Sequence, residues 1–474
     1  MFASLEKERD IVVSCATLRL LWTLLIGSPY VKLPHNLLTS AISTIDTLLQ
    51  RSIFPSTLWK YGCSEDASLL LSVLSGCLTC GAALCGTKPP VDYLEEFLLS
   101  SQRAKRFLQT IIDVASRQEC TTAKLEALMV VRGLAQNYPA VKPASELFSL
   151  AVESIEFCIL NESISDTSVM EKVAQQSILL AGDCLSHVPD LVAWRAFLSL
   201  IMRWAISHER PMIRAASVVS LATIVRHEIT DHLCKSLLQF VLYESSRSMI
   251  MDASSPVRAA SCKLMASLFP IIIRERYSFI DICHITCALQ SASQDGVLAV
   301  RIQAAGALAT CADSLEKSFR ENNPLDIVEI YESNYYPSIM QLLRVAIVAS
   351  VQMENERVKP FALHALGVLF SLAASLEDES INCQGCVDYS RTLDVIYSSL
   401  SSKTAKVQWA ACGAAEIVLK SVLHLDDNKI PEINLRRMVD KLQELECDSE
   451  NSRSRLLARD ALANAGMFQP VDGR

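Results

Sequence analysis

The sequence has little glycine, few aromatic residues and no excess of basic charge. Of its 474 residues, 14 are Gly and 6% are aromatic, and the formal net charge is −8. Few glycines beside many Leu, Ala and Ser residues favour helices, and no long stretch alternates apolar and polar residues as a half-exposed strand does. A general nucleic-acid binder usually carries a basic stripe, so the acidic balance argues against that class.

The chain also lacks the marks of secretion. Charged residues stand within the first ten positions, MFASLEKERD, which is unlike a signal peptide. Many of the 17 Cys residues lie on apolar helical faces, where a free thiol behaves as a small hydrophobe. We therefore expect a reducing compartment, cytoplasmic or nuclear or both.

One uncharged segment, residues 67–87, is about long enough to cross a bilayer. It is rich in Ser, Thr, Gly and Cys, and Glu65 and Asp66 precede it in place of a basic flank. We interpret it as a buried helix and expect no membrane span. A membrane-attached adaptor is the alternative interpretation.

A motif recurs along the chain. In runs such as DASSPVRAASCKLM and DGVLAVRIQAAGAL, a small residue follows the basic residue by three positions, and a larger apolar residue usually follows it by seven. The aligned positions are Arg214, Arg258, Arg301, Lys359, Gln408 and Arg455, with weaker copies around Lys124 and Lys172. Most of the intervals are close to the period of about 40–47 residues that is typical of HEAT and armadillo repeats.

Helices in these copies are apolar on two sides, which is typical of helices buried between neighbours. One such pair cannot bury its own faces, but a stack can. The sequence therefore predicts an all-α fold, an α-solenoid of HEAT/armadillo-like two-helix repeats. The small residue of each copy should permit close helix approach. Gly306 and Gly413, five positions after the aligned residue, are expected to do the same, at a cost of about 1 kcal/mol each relative to Ala.

Acidic residues precede two of the aligned arginines by six positions. Asp252 stands before Arg258, and Asp295 stands before Arg301. An Arg at a helix N-terminus opposes the helix dipole, so a carboxylate should lie close to it. We predict a structural ladder of these four residues together with Arg214.

The insertion at residues 316–337 contains a cluster of tyrosines. Tyr331, Tyr335 and Tyr336 stand there, in a chain with only 11 Tyr residues. Loops of a solenoid often carry binding residues. We therefore predict a partner-binding loop, with packing over the edge of a repeat as the alternative.

Three runs stand in order in the later half of the chain: DGVLAVRIQAAGALATCADSL, LLRVAIVASVQMENERVKPFALHALGVLF and KVQWAACGAAEIVL. Together with LRLLWTLLIGSPYVKLPHNLL and AKLEALMVVRGLAQNYP upstream, they resemble the HEAT-repeat-containing protein 6 family. Ala410 and Gly413 depart from that pattern, which has Asn and then an aromatic residue or His there. The resemblance implies an α-solenoid that binds proteins, and it brings no accepted enzymatic activity.

The domain organisation follows from the repeats and the resemblance. Residues 1–113 are expected to be an N-terminal helical repeat region resembling that family's domain of unknown function. Residues 114–467 are expected to be HEAT-like repeats, and residues 468–474 a frayed tail.

No motif for catalysis or metal binding is convincing. The run HEITDH separates its two His residues by five positions, whereas a zinc-protease helix needs four. Zinc usually needs four ligands, and the two Cys-x-x-Cys pairs, Cys77 with Cys80 and Cys383 with Cys386, lie far apart in sequence. We predict no catalytic residues, no cofactor and no metal, and leave a redox or metal role of Cys383 and Cys386 open.

The function that fits these patterns is a non-enzymatic scaffold or adaptor that binds protein partners along the solenoid surface. A transport-receptor-like, karyopherin-type cargo adaptor is the alternative within the binding class. A metal- or thiol-dependent enzyme is a third hypothesis that the motifs do not favour. No direct contact with nucleic acid is expected.

Overall fold

The computed structural model describes residues 102–116, 122–137, 143–160, 167–185, 191–226, 235–275, 279–321, 336–352, 356–379, 389–422, 432–449 and 451–464. Within these ranges the chain forms sixteen α-helices and no strand. The predicted all-α solenoid class is confirmed.

The helices belong to two compact units, Met1–His227 and Glu228–Arg474. The described helices of the first unit are α1 (Gln102–Ala115), α2 (Thr122–Asn137), α3 (Ala144–Leu160), α4 (Thr167–Leu185), α5 (Leu191–Ser207) and α6 (Pro211–Arg226). The predicted limits at residues 113 and 467 stay predictions, because residues 1–101 and 465–474 lie outside the described ranges.

The second unit contains the other ten described helices. Its described helices are α7 (Lys235–Met251), α8 (Ser255–Arg274), α9 (Phe279–Ser293), α10 (Leu298–Glu321), α11 (Tyr336–Gln352), α12 (Lys359–Glu379), α13 (Tyr389–Leu400), α14 (Ala405–Val422), α15 (Glu432–Asp448) and α16 (Ser452–Asn464).

Each unit has two layers of helices. In the second unit, α8, α10, α12, α14 and α16 pack against one another in one layer, and α7, α9, α11, α13 and α15 form the other. In the first unit, α2, α4 and α6 form the corresponding layer of even-numbered helices. Each odd helix also packs against the even helix that follows it, so every repeat is a two-helix hairpin.

The recurring small and apolar residues form the core of the even layers. The small residues three positions after the aligned residue are all buried: Ser217, Ser261, Ala304, Ala362, Ala411 and Ala458. The residues seven positions after it are buried as well: Leu221, Met265, Leu308, Leu366, Ala415 and Leu462. Residues four apart lie on the same side of a helix, so both sets point into the same interior.

Close approach between even helices occurs at glycines other than the two that the sequence suggested. A Cβ atom on Gly367 would lie 3.0 Å from the Ala414 Cα atom, and one on Gly182 would meet Ser220. A Cβ atom on Gly306 or Gly413 would meet nothing within 4 Å. The expectation for Gly306 and Gly413 was therefore wrong.

The reason for that error is helical geometry. Positions three and five after the aligned residue are two residues apart, which is about 200° around a helix. If the residue at position three faces a neighbouring helix, the residue at position five faces away from it. Gly306 and Gly413 therefore lie on the open side of α10 and α14.

Candidate functional site

The turns that lead into the even helices share one local arrangement. The residue six positions before the aligned residue accepts a hydrogen bond from the backbone N–H two residues later. The acceptor side chains are His208, Asp252, Asp295, Ser402 and Ser449. Short polar side chains favour such turns because they replace a backbone acceptor.

The aligned arginines contact the same turns through the backbone carbonyl groups. Arg258 Nη1 donates to the backbone carbonyls of Asp252 at 2.8 Å and Ala253 at 3.2 Å. Arg301 does the same to Asp295 and Gly296. These carbonyls lie just before a helix, so the guanidinium satisfies acceptors that the helix itself does not use.

Arg258 also reaches the next turn. Its Nε and Nη2 atoms donate to the two carboxylate oxygens of Asp295 at 2.7 and 3.0 Å. Both side chains are largely buried, with 15% and 11% of their surfaces exposed. The hydrogen bond from Arg258 lowers the pKa of Asp295, and the hydrogen bond to Asp295 raises the pKa of Arg258. This bidentate pair joins the repeat of α8 to that of α10.

The other two arginines of the predicted ladder hold the turns of their own repeats. Arg214 Nη1 donates to the backbone carbonyls of His208 and Glu209, in its own turn. The Nε atom of Arg301 is buried and finds no acceptor within the described ranges. The sequence suggests why: Met353 stands six positions before Lys359, where the preceding repeat has Asp295.

In a later repeat, neutral side chains join neighbouring turns. Trp409 Nε1 donates to Ser454 Oγ at 3.1 Å, and Ser454 Oγ donates to Gln408 Oε1. Arg453 stacks over the Trp409 ring, 4.4 Å from its centroid. The distinctive VQW run thus contributes a neutral link between α14 and α16, which the sequence did not reveal because it does not show which residue is Trp409's partner.

The even helices of the second unit turn one side to solvent. We call this side the even-helix face; its exposed and half-exposed residues include Ala259, Lys263 and Ala266 on α8, Gln303, Gly306 and Thr310 on α10, Phe361, His364 and Ser371 on α12, Lys406, Ala410 and Gly413 on α14, and Leu456 and Asp460 on α16. Most of these side chains are small, so a partner's backbone can come close to the helices.

Two large apolar residues stand out on this face. Phe361 is 46% exposed and Leu456 is 57% exposed. Phe361 follows Val358 by three positions, and Val358 packs with residues of α10, among them Ile302. Sequence analysis missed both residues, because a single exposed apolar residue in an apolar helix looks like a core residue.

The predicted tyrosine loop is not part of the described surface. Tyr331 and Tyr335 lie outside the described ranges, and the structure describes only the backbone of Tyr336, at the start of α11. Cys77, Cys80, Cys383, Cys386 and the HEITDH run also lie outside them.

The described cysteines include several that are buried and protonated. Burial raises the pKa of Cys184, Cys262 and Cys412 to about 12, and it raises the pKa of Cys311 as well. Thiols in this state are poor nucleophiles. In the part of the chain that the structure describes, no group of three or more His, Cys, Asp or Glu residues could hold a metal ion.

One described helix, Ser255–Arg274, has the length and hydropathy of a membrane span, but 67% of its most apolar window is buried inside the protein. Core helices of soluble proteins pass the same test of length and composition. The segment that sequence analysis considered, residues 67–87, lies outside the described ranges.

Comparison with known proteins identifies the fold of the chain and nothing further. No protein-family model matches the chain, and no curated protein matches it. A crystal structure of importin beta superposes with a TM-score of 0.60 at 10% sequence identity, covering 98% of this chain and 52% of that one. This chain thus spans about half the length of importin beta.

Two further solved structures are similar over most of this chain. The karyopherin Kap121p, bound to the extreme C-terminus of the protein phosphatase Cdc14p, matches with a TM-score of 0.49 at 13% identity, covering 98% of this chain and 45% of its own. An engineered protein matches with a TM-score of 0.42 at 14% identity, covering 98% of both chains. The likeness to importin beta shows that the fold is a HEAT-type solenoid.

Proposed function

We propose that the protein is a non-enzymatic scaffold that binds a protein partner on the even-helix face of its second unit. The observation that carries the proposal is that Gly306 and Gly413 lie open on this face, where a Cβ atom would meet nothing. A mid-helix glycine costs about 1 kcal/mol relative to Ala. Nothing in the described fold would obstruct a side chain at either position, so close approach of a partner supplies a reason for glycine there.

Phe361 and Leu456 would provide the apolar anchors of such an interface. A few well-placed large side chains usually carry most of the affinity of an interface, surrounded by contacts that mainly exclude water. The predicted loop with Tyr331, Tyr335 and Tyr336 is a further candidate contact. The arginine ladder has a structural role in this proposal, holding the turns that position the helices.

The proposal is tested by adding a side chain where the fold leaves room. Gly306→Lys places a long, charged side chain on the even-helix face without a clash inside the protein, and Phe361→Ala removes an anchor. Ser398→Lys is the matched control, because Ser398 is exposed on α13 in the other layer. Proteins recovered by proximity labelling in the native cell would be compared among the variants.

Loss of the main partners with Gly306→Lys and Phe361→Ala, but not with Ser398→Lys, is the expected result. If all three variants recover the same partners as the unchanged chain, the even-helix face is not the binding surface. Each variant would first be checked for helical content and melting temperature.

The resemblance of the VQW run and its neighbours to the HEAT-repeat-containing protein 6 family supports the scaffold proposal, since that family brings no accepted enzymatic activity. We propose membership of that family, and a cytoplasmic or nuclear location, on the same ground. Pull-down of the same partner with this chain and with a member of that family would support the assignment.

A second candidate is a transport-receptor-like cargo adaptor, which is supported by the likeness in fold to importin beta. Such an adaptor should bind a small GTPase in its GTP form or segments rich in Phe-Gly. Pull-down with a GTPase held in its GTP and GDP forms separates the two candidates, because a plain scaffold should not distinguish them.

A further inference from the structure

We propose a carboxylate-binding cleft in the other layer of the second unit, between α9 and α11. The described residues that line it are Gln290, Ser293, Gln294, Gln341, Arg344, Val345 and Val348. Its volume is about 270 Å³. A single water needs about 10–15 Å³ of such space, so the cleft has room for a short side chain and its hydration.

The cleft presents one cation without a counter-ion. Within the described ranges, no carboxylate pairs with Arg344, whose side chain is exposed at the cleft. A guanidinium is a planar fork that matches the two oxygens of a carboxylate.

Amide donors line the same space. Gln341 is held in place, since its Oε1 accepts from Thr286 Oγ1 at 3.1 Å and its Nε2 points to Gln290 Oε1 at 3.5 Å. The side-chain amide of Gln294 and the Nε2 of Gln290 have no hydrogen-bond partner among the described residues. These groups can donate to an anion beside the Arg344 guanidinium.

The charge of the cleft decides the class of anion. One guanidinium and neutral amides balance one negative charge, whereas a phosphate group carries close to two at neutral pH. Val345 and Val348 form an apolar side of the cleft, suited to the methylene groups of an aliphatic acid. The ligand class is therefore a carboxylate on a short aliphatic stem, either a Glu side chain in a partner's segment or a free small carboxylic acid.

The test compares the full chain with Arg344→Gln and Gln294→Ala. Arg247→Gln is the control, because it removes an exposed guanidinium on α7, away from the cleft. Short random peptides displayed on phage would be selected on the full chain and counter-selected on Arg344→Gln. In parallel, the melting temperature of each variant would be measured with butyrate, with butyramide and with inorganic phosphate.

A peptide whose affinity falls about tenfold both with Arg344→Gln and with Glu→Gln in the peptide supports the cleft, with a partner's Glu as the source. When Arg344→Gln in the chain is combined with Glu→Gln in the peptide, the affinity should fall no further than with either change alone. A rise in melting temperature with butyrate that needs Arg344, without any such peptide, supports a free acid instead. Stabilisation by phosphate but not by butyrate, or binding that is equal in Arg344→Gln and Arg247→Gln, overturns the proposal.

Discussion

Two sides of the same even helices use small residues for opposite purposes. Where α12 meets α14, Gly367 leaves no room even for a methyl group beside Ala414. On the even-helix face, Gly413 of α14 has free space around it. A small residue therefore marks a close contact in one place and an open surface in the other, and only its angle around the helix distinguishes the two.

The largest effect on the contact side should come from Asp295→Ala. This change leaves the Arg258 guanidinium largely buried without its carboxylate and removes the cap of the Val297 N–H group. We expect a loss of about 2–3 kcal/mol in the free energy of unfolding, measured by urea denaturation. Exposed Asp460→Ala is the control, and a loss no larger than the control's would show that the pair contributes nothing.

The same pair should make stability depend on pH. Arg258 lowers the pKa of Asp295 in the folded state, so the unfolded chain takes up this proton first as the pH falls. The contribution of the pair is complete above the unfolded pKa of about 3.9 and is lost as the pH falls through the folded pKa. The stability difference between the unchanged chain and Asp295→Asn should therefore shrink below about pH 4. A difference that stays constant to lower pH would contradict the assignment.

Gly367→Ala should destabilise the contact between α12 and α14. Its methyl group would lie 3.0 Å from the Ala414 Cα atom, and backbone atoms cannot move aside as a flexible side chain can. Overpacking of this kind costs about 2 kcal/mol, which exceeds the gain in helix propensity. Thermal unfolding would show it, and an unchanged or higher melting temperature would show that the helices separate easily at this point.

Ser261→Ala should have a smaller effect of opposite sign. Ser261 is buried, its hydroxyl has no partner among the described residues, and four other copies of the repeat have Ala at this position. Removing an unsatisfied hydroxyl should stabilise the fold by about 1 kcal/mol. If urea denaturation shows a loss instead, the hydroxyl has a partner, such as a bound water.

The smallest change is expected from Gly413→Ala, on the open side. The added methyl group meets nothing, so the helix gains about 0.5–1 kcal/mol from propensity alone. The direct comparison with Gly367→Ala is the sharpest form of the contrast, because the two changes are chemically identical and should move the melting temperature in opposite directions. Equal shifts would remove the distinction between the two sides.

The sequence was sufficient to predict the helical class and the buried positions of each repeat. Both depend on the spacing of apolar and small residues along a single helix, which the sequence shows directly. The residues three and seven positions after the aligned residue are buried as their spacing indicates. The spacing also contains the direction of Gly306 and Gly413, because position five lies about 200° around the helix from position three. What spacing cannot give is the identity of a neighbour across the stack, such as Ser454 for Trp409 or Asp295 for Arg258.

The hydrogen bonds of Arg258 to two successive turns have a mechanical consequence. One rigid guanidinium plane holds its own turn and the carboxylate of the following turn, so these two repeats are coupled as by a stiff link. One repeat further along, the sequence has Met353 at the position that corresponds to Asp295. Under tension we expect the second unit to yield first between α10 and α12. Met353→Asp, by supplying a carboxylate at the sequence position that corresponds to Asp295, should raise the force at which an optical trap records that event.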